Sequence, residues 1–228
     1  MPWDLTPLWI SLKTAFTATI ITFFLGLAVA RWMAFYHGKG KSLLDGLLIM
    51  PLVLPPTVVG FLLLLLFGKN GPLGQLLLKL GTTIIFSWPA TVIAATVVAF
   101  PMMYKTAKGA FEQIDTNILN AARTLGASEW RVFWRVIVPL SWPGIAAGTI
   151  LSFARALGEF GATLMLAGNI PGKTTTIPVA IFFAAEGGEM DKAMVWVLVI
   201  LGISLAVVLA ESYWSQRQYN SGGSKGRY

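Results

Sequence analysis

The chain has 228 residues, of which 56% are hydrophobic and 12% charged, and its mean hydropathy is +0.71. Soluble domains carry about 25% charged residues, so this composition excludes an ordinary soluble domain and indicates a surface that mostly faces lipid. In so apolar a chain the net charge of +7 indicates a basic cytoplasmic side rather than binding to nucleic acid. With no cysteine and one histidine, disulfides and thiolate metal sites are excluded and an imidazole metal site is disfavoured.

Five uncharged stretches of 17 to 25 residues lie between successive charged residues. A membrane helix needs about 20 mainly apolar residues, so each stretch predicts a span. The nine tryptophans lie near the ends of these stretches, as expected for rings at the headgroup level. The predicted spans lie near residues 10–32, 46–67, 84–104, 137–157 and 193–214.

Two shorter apolar stretches, 160–172 and 174–185, are interrupted by glycine and proline. Neither is long enough to cross a bilayer alone, so we expect a re-entrant or surface-lying outer segment. The expected fold class is all-α, a polytopic membrane helix bundle of five spans plus this outer segment. Residues 1–214 would form one transmembrane domain, with a flexible cytoplasmic tail at 215–228.

The basic residues are unevenly divided between the two ends of the predicted spans. With alternating loops, one side receives eleven lysines and arginines and the other receives five, while Arg155 stays unassigned. The richer side is expected to be cytoplasmic, which places the N-terminus outside and the C-terminus inside.

The longest polar stretch, 105–135, has the signals of a helix, a glycine turn and a second helix. Asp115 or Thr116 would cap the first helix, Gly126 would stop it in a left-handed conformation, and Ser128 would cap the second. The apolar face of the first helix would lie on the membrane, pack back on its own bundle, or dock a partner protein.

This loop resembles the E-A-A-x3-G-x9-I-x-L-P loop of binding-protein-dependent ABC importer permeases. The spacing is matched by Asn120-Ala121-Ala122, then Gly126, then Val136-Ile137-Val138-Pro139. Asn120 replaces the glutamate of the motif, while Val136 and Val138 replace similar aliphatic residues. The resemblance implies that the loop docks on an ATPase through Asn120, Ala121, Ala122, Arg123, Thr124, Leu125 and Gly126.

Longer runs resemble the molybdate branch of these permeases, over roughly residues 11–211. They are Met50 to Gly60, Phe153 to Thr163 and Asn169 to Lys173. The resemblance implies a permease subunit for molybdate in a bacterial inner membrane, with sulfate or tungstate as alternative substrates. The implied partners are a second copy of this chain, two ABC ATPase subunits, an external molybdate-binding protein and the lipid bilayer.

No ATP site is expected in this chain. Gly40-Lys41-Ser42 and Gly172-Lys173-Thr174 both lack the first glycine of a phosphate-binding loop. The chain is therefore expected to bind no cofactor and to have no enzymatic activity of its own, with ATP and Mg²⁺ held by the partner ATPases. An intramembrane protease is disfavoured because the only histidine, His37, is in a predicted loop. A passive channel or membrane anchor is the other alternative.

Candidate path residues lie in two places. Pro51, Pro55 and Pro56, followed by Thr57, disturb the helical hydrogen bonds of the second predicted span, which indicates either a gate or a static kink. Arg155 and Glu159, four residues apart at membrane depth, would form a structural ion pair, or Arg155 would contact the anion.

Overall fold

The computed structural model describes residues 4–223, with side chains described up to residue 210 and at 212. Trp3 and residues 224–228 of the predicted tail lie outside this range. The regular elements within it are helices, and they are α1 (Thr6–Ala34), α2 (Lys41–Val53), α3 (Pro56–Phe67), α4 (Pro72–Lys79), α5 (Trp88–Glu112), α6 (Thr116–Thr124), α7 (Glu129–Val132), a π-helical turn (Phe133–Ile137), α8 (Val138–Leu140), α9 (Trp142–Leu157), α10 (Gly161–Ala167), α11 (Ile177–Glu186) and α12 (Met190–Gly223).

Three helices are each long and apolar enough to cross a membrane: α1, α5 and the Met190–Ala210 part of α12. Two further candidates are bent pairs. The α2–α3 pair bends by 110°, and the pair formed by Glu129–Leu140 and α9 bends by 74°. The described chain is therefore an all-α bundle with three to five candidate spans, according to whether each bent pair counts as one. The expected outer segment contains the short helices α10 and α11.

The second predicted span, 46–67, is broken rather than kinked. Leu54 and Pro55 have extended backbone, with ψ of 143° and 136°. A proline disfavours the α conformation of the residue before it, and here two prolines in sequence act on two successive residues. The helix therefore stops at Val53 and restarts at Pro56 in a new direction.

Other boundaries also differ from the predicted ones. Helix α5 continues eight residues past position 104 to Glu112, and α9 starts at Trp142 after a break at Ser141. The backbone of α12 stays helical to Gly223, through most of the predicted tail. The end of the bundle that carries the loop between α5 and α9 is called the loop end below.

Helix α5 is the centre of the bundle, and α1, α2, α3, α9 and α10 all pack on it. Small residues line its contacts: Ala95 and Ala99 pack with Ala15 and Ala18 of α1 and Ala156 of α9. Small side chains let helix backbones approach closely, which is a main source of attraction between helices in lipid.

Gly144 and Gly148 lie at close contacts between α9 and α5. A Cβ at Gly144 would lie 2.5 Å from Ala110 Cβ, and one at Gly148 would lie 3.1 Å from Met103 Sδ. Both neighbours belong to α5, so the two glycines let α9 lie directly against the central helix.

Helix α2 is joined to α5 by an ion-paired cluster near the loop end. Lys108 Nζ lies 2.6 Å from Asp45 Oδ2, and the Tyr104 hydroxyl donates to the other carboxylate oxygen. Lys41 adds a 3.5 Å ion pair with Glu112. No residue of α2 is fully buried, and this polar cluster holds the helix to α5 together with the half-buried Leu44, Leu48 and Ile49, which pack on the core.

Helices α3 and α10 meet backbone to backbone. A Cβ at Gly60 would lie 2.7 Å from Ala162 Cα and 2.8 Å from Met165 Cβ, which is closer than real side chains approach. No side chain longer than a hydrogen fits at position 60.

Gly60→Ala should therefore destabilise the protein by about 1–3 kcal/mol through overpacking. The matched control is Gly46→Ala in α2, where an added Cβ meets nothing within 4 Å and the helix gains propensity. Thermal unfolding in detergent, followed by tryptophan fluorescence, measures both changes. Equal midpoints for the two variants would contradict the close contact.

Candidate functional site

The loop between α5 and α9 begins with the predicted helix cap. Asp115 Oδ1 accepts a hydrogen bond of 2.8 Å from the Asn117 backbone N–H, and α6 follows from Thr116. Ser128 Oγ accepts from the Arg131 backbone N–H at 3.4 Å and precedes α7. Both caps predicted from the sequence are therefore present.

Gly126 ends α6 as predicted, with a φ of +80°. The Gly126 N–H donates to the Arg123 carbonyl at 2.9 Å, and the Ala127 N–H donates to the Ala122 carbonyl at 3.1 Å. These two bonds form a Schellman motif, which requires a left-handed residue at the glycine position. The path of the chain from α6 to α7 is therefore fixed by backbone bonds.

An ion pair crosses this turn. Arg123 Nε lies 2.7 Å from Glu129 Oε1, Nη2 lies 3.2 Å from Oε2, and Nη1 donates to the Asn120 side-chain oxygen at 3.1 Å. These hydrogen bonds hold the pKa of the Glu129 carboxyl below its usual range. Asn120, which replaces the glutamate of the resembled motif, orients Arg123 here.

Helix α6 divides its apolar residues between two faces. Leu119 is 3% exposed and packs in the main core with Phe111 and Phe133, while Leu125 is 88% exposed. Ala121 is exposed and Ala122 half-buried. The helix therefore packs back on its own bundle along one edge and presents an apolar residue to solvent at its end.

Two grooves border α6. One, of about 840 Å³, lies between it and the end of α1 and is lined in part by Arg31, His37, Asn120 and Arg123. The other, of about 750 Å³, is lined in part by Gln113, Ile118 and Leu140. Both are open grooves beside the helix that side chains of a second protein could enter.

The loop is also held to α1. The Arg31 guanidinium carbon lies 4.4 Å from the centre of the Phe133 ring, a cation–π distance, and Phe133 begins the π-helical turn. With Leu119 buried next to the same ring, the loop is a packed part of the bundle.

The predicted pair of Arg155 and Glu159 is confirmed as an ion pair, with Arg155 Nη1 2.9 Å from Glu159 Oε2. The other carboxylate oxygen accepts a hydrogen bond of 2.7 Å from the Ala162 N–H at the start of α10. The Glu159 side chain is 1% exposed, whereas that of Arg155 is 26% exposed. The carboxylate thus ties the end of α9 to α10.

The turn that contains Glu159 packs on the break in the second predicted span. A Cβ at Gly161 would lie 3.1 Å from the Thr57 backbone N and 3.2 Å from Pro56 Cβ. The structure therefore brings Pro56 and Thr57 next to the turn after Arg155. Pro55 caps α3 at the same break, while Pro51 lies inside α2.

Sequence reasoning missed two features of these regions. One is the ion pair between Glu129 and Arg123. Their separation of six residues across a glycine turn is a sequence signal that could have suggested this pair. The other is the cluster in which Asp45 pairs with Tyr104 and Lys108, which follow it by 59 and 63 residues in sequence. No local pattern signals such a pairing.

Long apolar helices, broken helices with polar turns and an exposed helix–glycine–helix loop define a polytopic membrane protein. The chain belongs to the family of binding-protein-dependent transport system inner membrane components, whose family model matches residues 11–219.

Two relatives cover most of the chain. The permease protein YvgM of Bacillus subtilis (strain 168), named for a molybdenum transport system, is 48% identical over 204 residues, which are 89% of this chain and 90% of YvgM. The molybdenum transport system permease protein ModB of Escherichia coli (strain K12) is 44% identical over 212 residues, 91% of each chain.

A solved structure shows the same fold. It is a bacterial alginate ABC transporter in complex with an alginate pentasaccharide-bound periplasmic protein, matched with a TM-score of 0.77 and 16% identity. The match covers 95% of this chain and 80% of that one. The ABC importer permease fold expected from the sequence is thereby confirmed.

Proposed function

We propose that this chain is the membrane-spanning subunit of an ATP-driven importer and forms the path for molybdate. The observation that carries the proposal is the exposed end of α6, where a rigid glycine turn presents Leu125 beside two open grooves. Two relatives at 44–48% identity are named for molybdenum transport, which supports the substrate.

The proposed complex contains two copies of this chain, two ABC ATPase subunits and an external molybdate-binding protein. ATP and Mg²⁺ are held by the ATPases, and the permease chain needs no cofactor. Each α6 docks on one ATPase through residues 120–126. Because the Arg123–Glu129 pair fixes the turn and Leu119 anchors the helix in the core, a movement of the ATPase is transmitted to the bundle.

The path is proposed to run beside the break at Pro55 and Pro56, with Thr57, Arg155 and Glu159 near it and Pro51 on its loop-end side. Thr57 is exposed on the single chain. A second copy packed on this face would enclose the broken helices, which are tolerated at membrane depth where they line a water-filled cavity.

Labelled-molybdate uptake tests the function directly. Vesicles holding this chain with its ATPase and its binding protein should accumulate molybdate only with ATP and loaded binding protein. Sulfate and tungstate are the alternative substrates because all three are tetrahedral dianions, and each is added as a competitor. Uptake that sulfate abolishes at equal concentration would contradict the molybdate assignment.

Gly126→Val tests the docking role. A β-branched residue at φ +80° costs about 1–2 kcal/mol or more, which should displace α6 and abolish the stimulation of ATP hydrolysis by loaded binding protein. The matched control is Gly81→Val, two residues after the end of α4, where φ is +74° and an added Cβ likewise meets nothing within 4 Å. Gly126→Asn should retain part of the activity, since asparagine tolerates this conformation. Full activity of Gly126→Val would refute the docking role.

The proposed topology places the N-terminus outside, the loop end in the cytoplasm and the C-terminus inside. The chain has no cysteine, so single substitutions report accessibility cleanly. Leu80→Cys and Leu125→Cys replace residues that are 72% and 88% exposed. In cells that make the permease without its ATPase, which would cover position 125, an impermeant maleimide should label Leu80→Cys directly and Leu125→Cys only after permeabilisation. The reverse pattern would overturn the orientation.

A further inference from the structure

We propose that Arg155 is the residue of the path that contacts the oxyanion, and that Glu159 is a built-in competitor that limits how tightly the anion is held. The inference rests on the proposed function and assigns a chemical role to one pair within it.

Arg155 lies at the depth of the hydrocarbon layer. Ser141, next to the start of α9, donates a hydrogen bond of 3.2 Å to the Ala110 carbonyl near the loop end of α5. Arg155 lies thirteen residues after Trp142, the first residue of α9, which is about 20 Å along the helix at 1.5 Å per residue. The hydrocarbon layer is about 30 Å thick, so Arg155 lies within it.

The two side chains of the pair are unequally buried. Glu159 is sealed, with 1% of its side chain exposed, whereas the Arg155 side chain is 26% exposed. A guanidinium at this depth is stable only when it faces protein or a water-filled cavity. The exposed part of Arg155 therefore faces the path, where a permeating anion passes.

The contact between Glu159 and Arg155 involves few of the guanidinium donors. Glu159 Oε1 is committed to the Ala162 N–H, and Oε2 touches Arg155 Nη1 at 2.9 Å without an aligned hydrogen bond. A guanidinium has five N–H donors in a planar fork, and this single contact uses little of that capacity. The remaining donors match the several oxygens of a tetrahedral anion, which arginine binds through two parallel bonds.

The transported anion must also be released from the path. An arginine without a counter-charge, in a poorly solvated path, would hold a dianion tightly and stop transport. With Glu159 as its neighbour, the guanidinium exchanges one anionic partner for another as the substrate arrives and leaves. The pair thus attracts the anion without trapping it.

The test is equilibrium binding of labelled molybdate, and separately of labelled sulfate, to the permease–ATPase complex in nanodiscs without binding protein. Glu159→Gln keeps an oxygen that accepts from the Ala162 N–H but removes the competing charge. This variant should bind the anions at least about tenfold more tightly than the wild-type complex and transport them more slowly. Arg155→Gln should weaken binding by a similar factor.

The double variant Arg155→Gln, Glu159→Gln separates this role from a structural one. The proposal expects it to behave as Arg155→Gln does, because no guanidinium is left to meet the anion. A purely structural pair predicts that removing both charges restores transport, and that result would overturn the proposal. Unchanged anion binding by Glu159→Gln would overturn it equally.

Two control variants distinguish a specific effect on anion binding from misfolding. A comparison of substrates distinguishes this proposal from the proposed function on which it rests. Arg155→Lys keeps the charge without the fork and should give intermediate affinity, and Asp45→Asn, which removes the carboxylate that pairs with Lys108, should leave anion affinity unchanged. If the wild-type complex binds sulfate but not molybdate, the substrate assignment fails while the role of Arg155 is still measured with sulfate.

Discussion

Backbone groups freed at the helix breaks need hydrogen-bond partners inside the protein, because hydrocarbon offers none. The structure supplies one side chain at each of three breaks. Glu159 accepts from Ala162, Ser141 donates to Ala110, and Ser11 accepts from the first residue of α11, Ile177, at 2.7 Å. All three residues are 2% exposed, so none of these bonds depends on solvent.

The rest of the architecture depends on these internal partners. They permit α10 and α11 to be short helices within an apolar bundle. The short helices in turn bring the break at Pro55 and the turn at Glu159 together. Broken helices at membrane depth carry polar groups into a layer that otherwise has none, and transport of a charged solute requires such groups. The same bonds therefore serve both stability and the proposed path.

The loop between α5 and α9 could be predicted from the sequence almost completely. Its caps at Asp115 and Ser128 and its stop at Gly126 are decided by bonds between residues two to five apart. The spans could be located because charge is excluded from them, and the all-α fold follows directly from their length and composition.

Features set by distant residues could not be predicted. Tandem prolines are compatible with a kink or with a full break, and the 110° angle depends on how α3 packs on α10. Likewise, the observed ends of α5 and α9 differ from the span limits predicted from the sequence. The end of a helix also depends on packing and hydrogen bonds with neighbouring elements, which hydropathy does not report. The Arg155–Glu159 pair could be predicted from its spacing, but its unequal burial could not.

The contact between Gly60 and Ala162 has a mechanical consequence. Because the backbones of α3 and α10 meet here, the side-chain repacking that usually accompanies a small shear has little room at this contact. We therefore expect the two helices to move together, with the extended residues Leu54 and Pro55 as the pivot between them and α2. A cross-link that immobilised Leu54 and Pro55 would prevent the movement of α3 and α10 without altering any residue that contacts the transported anion.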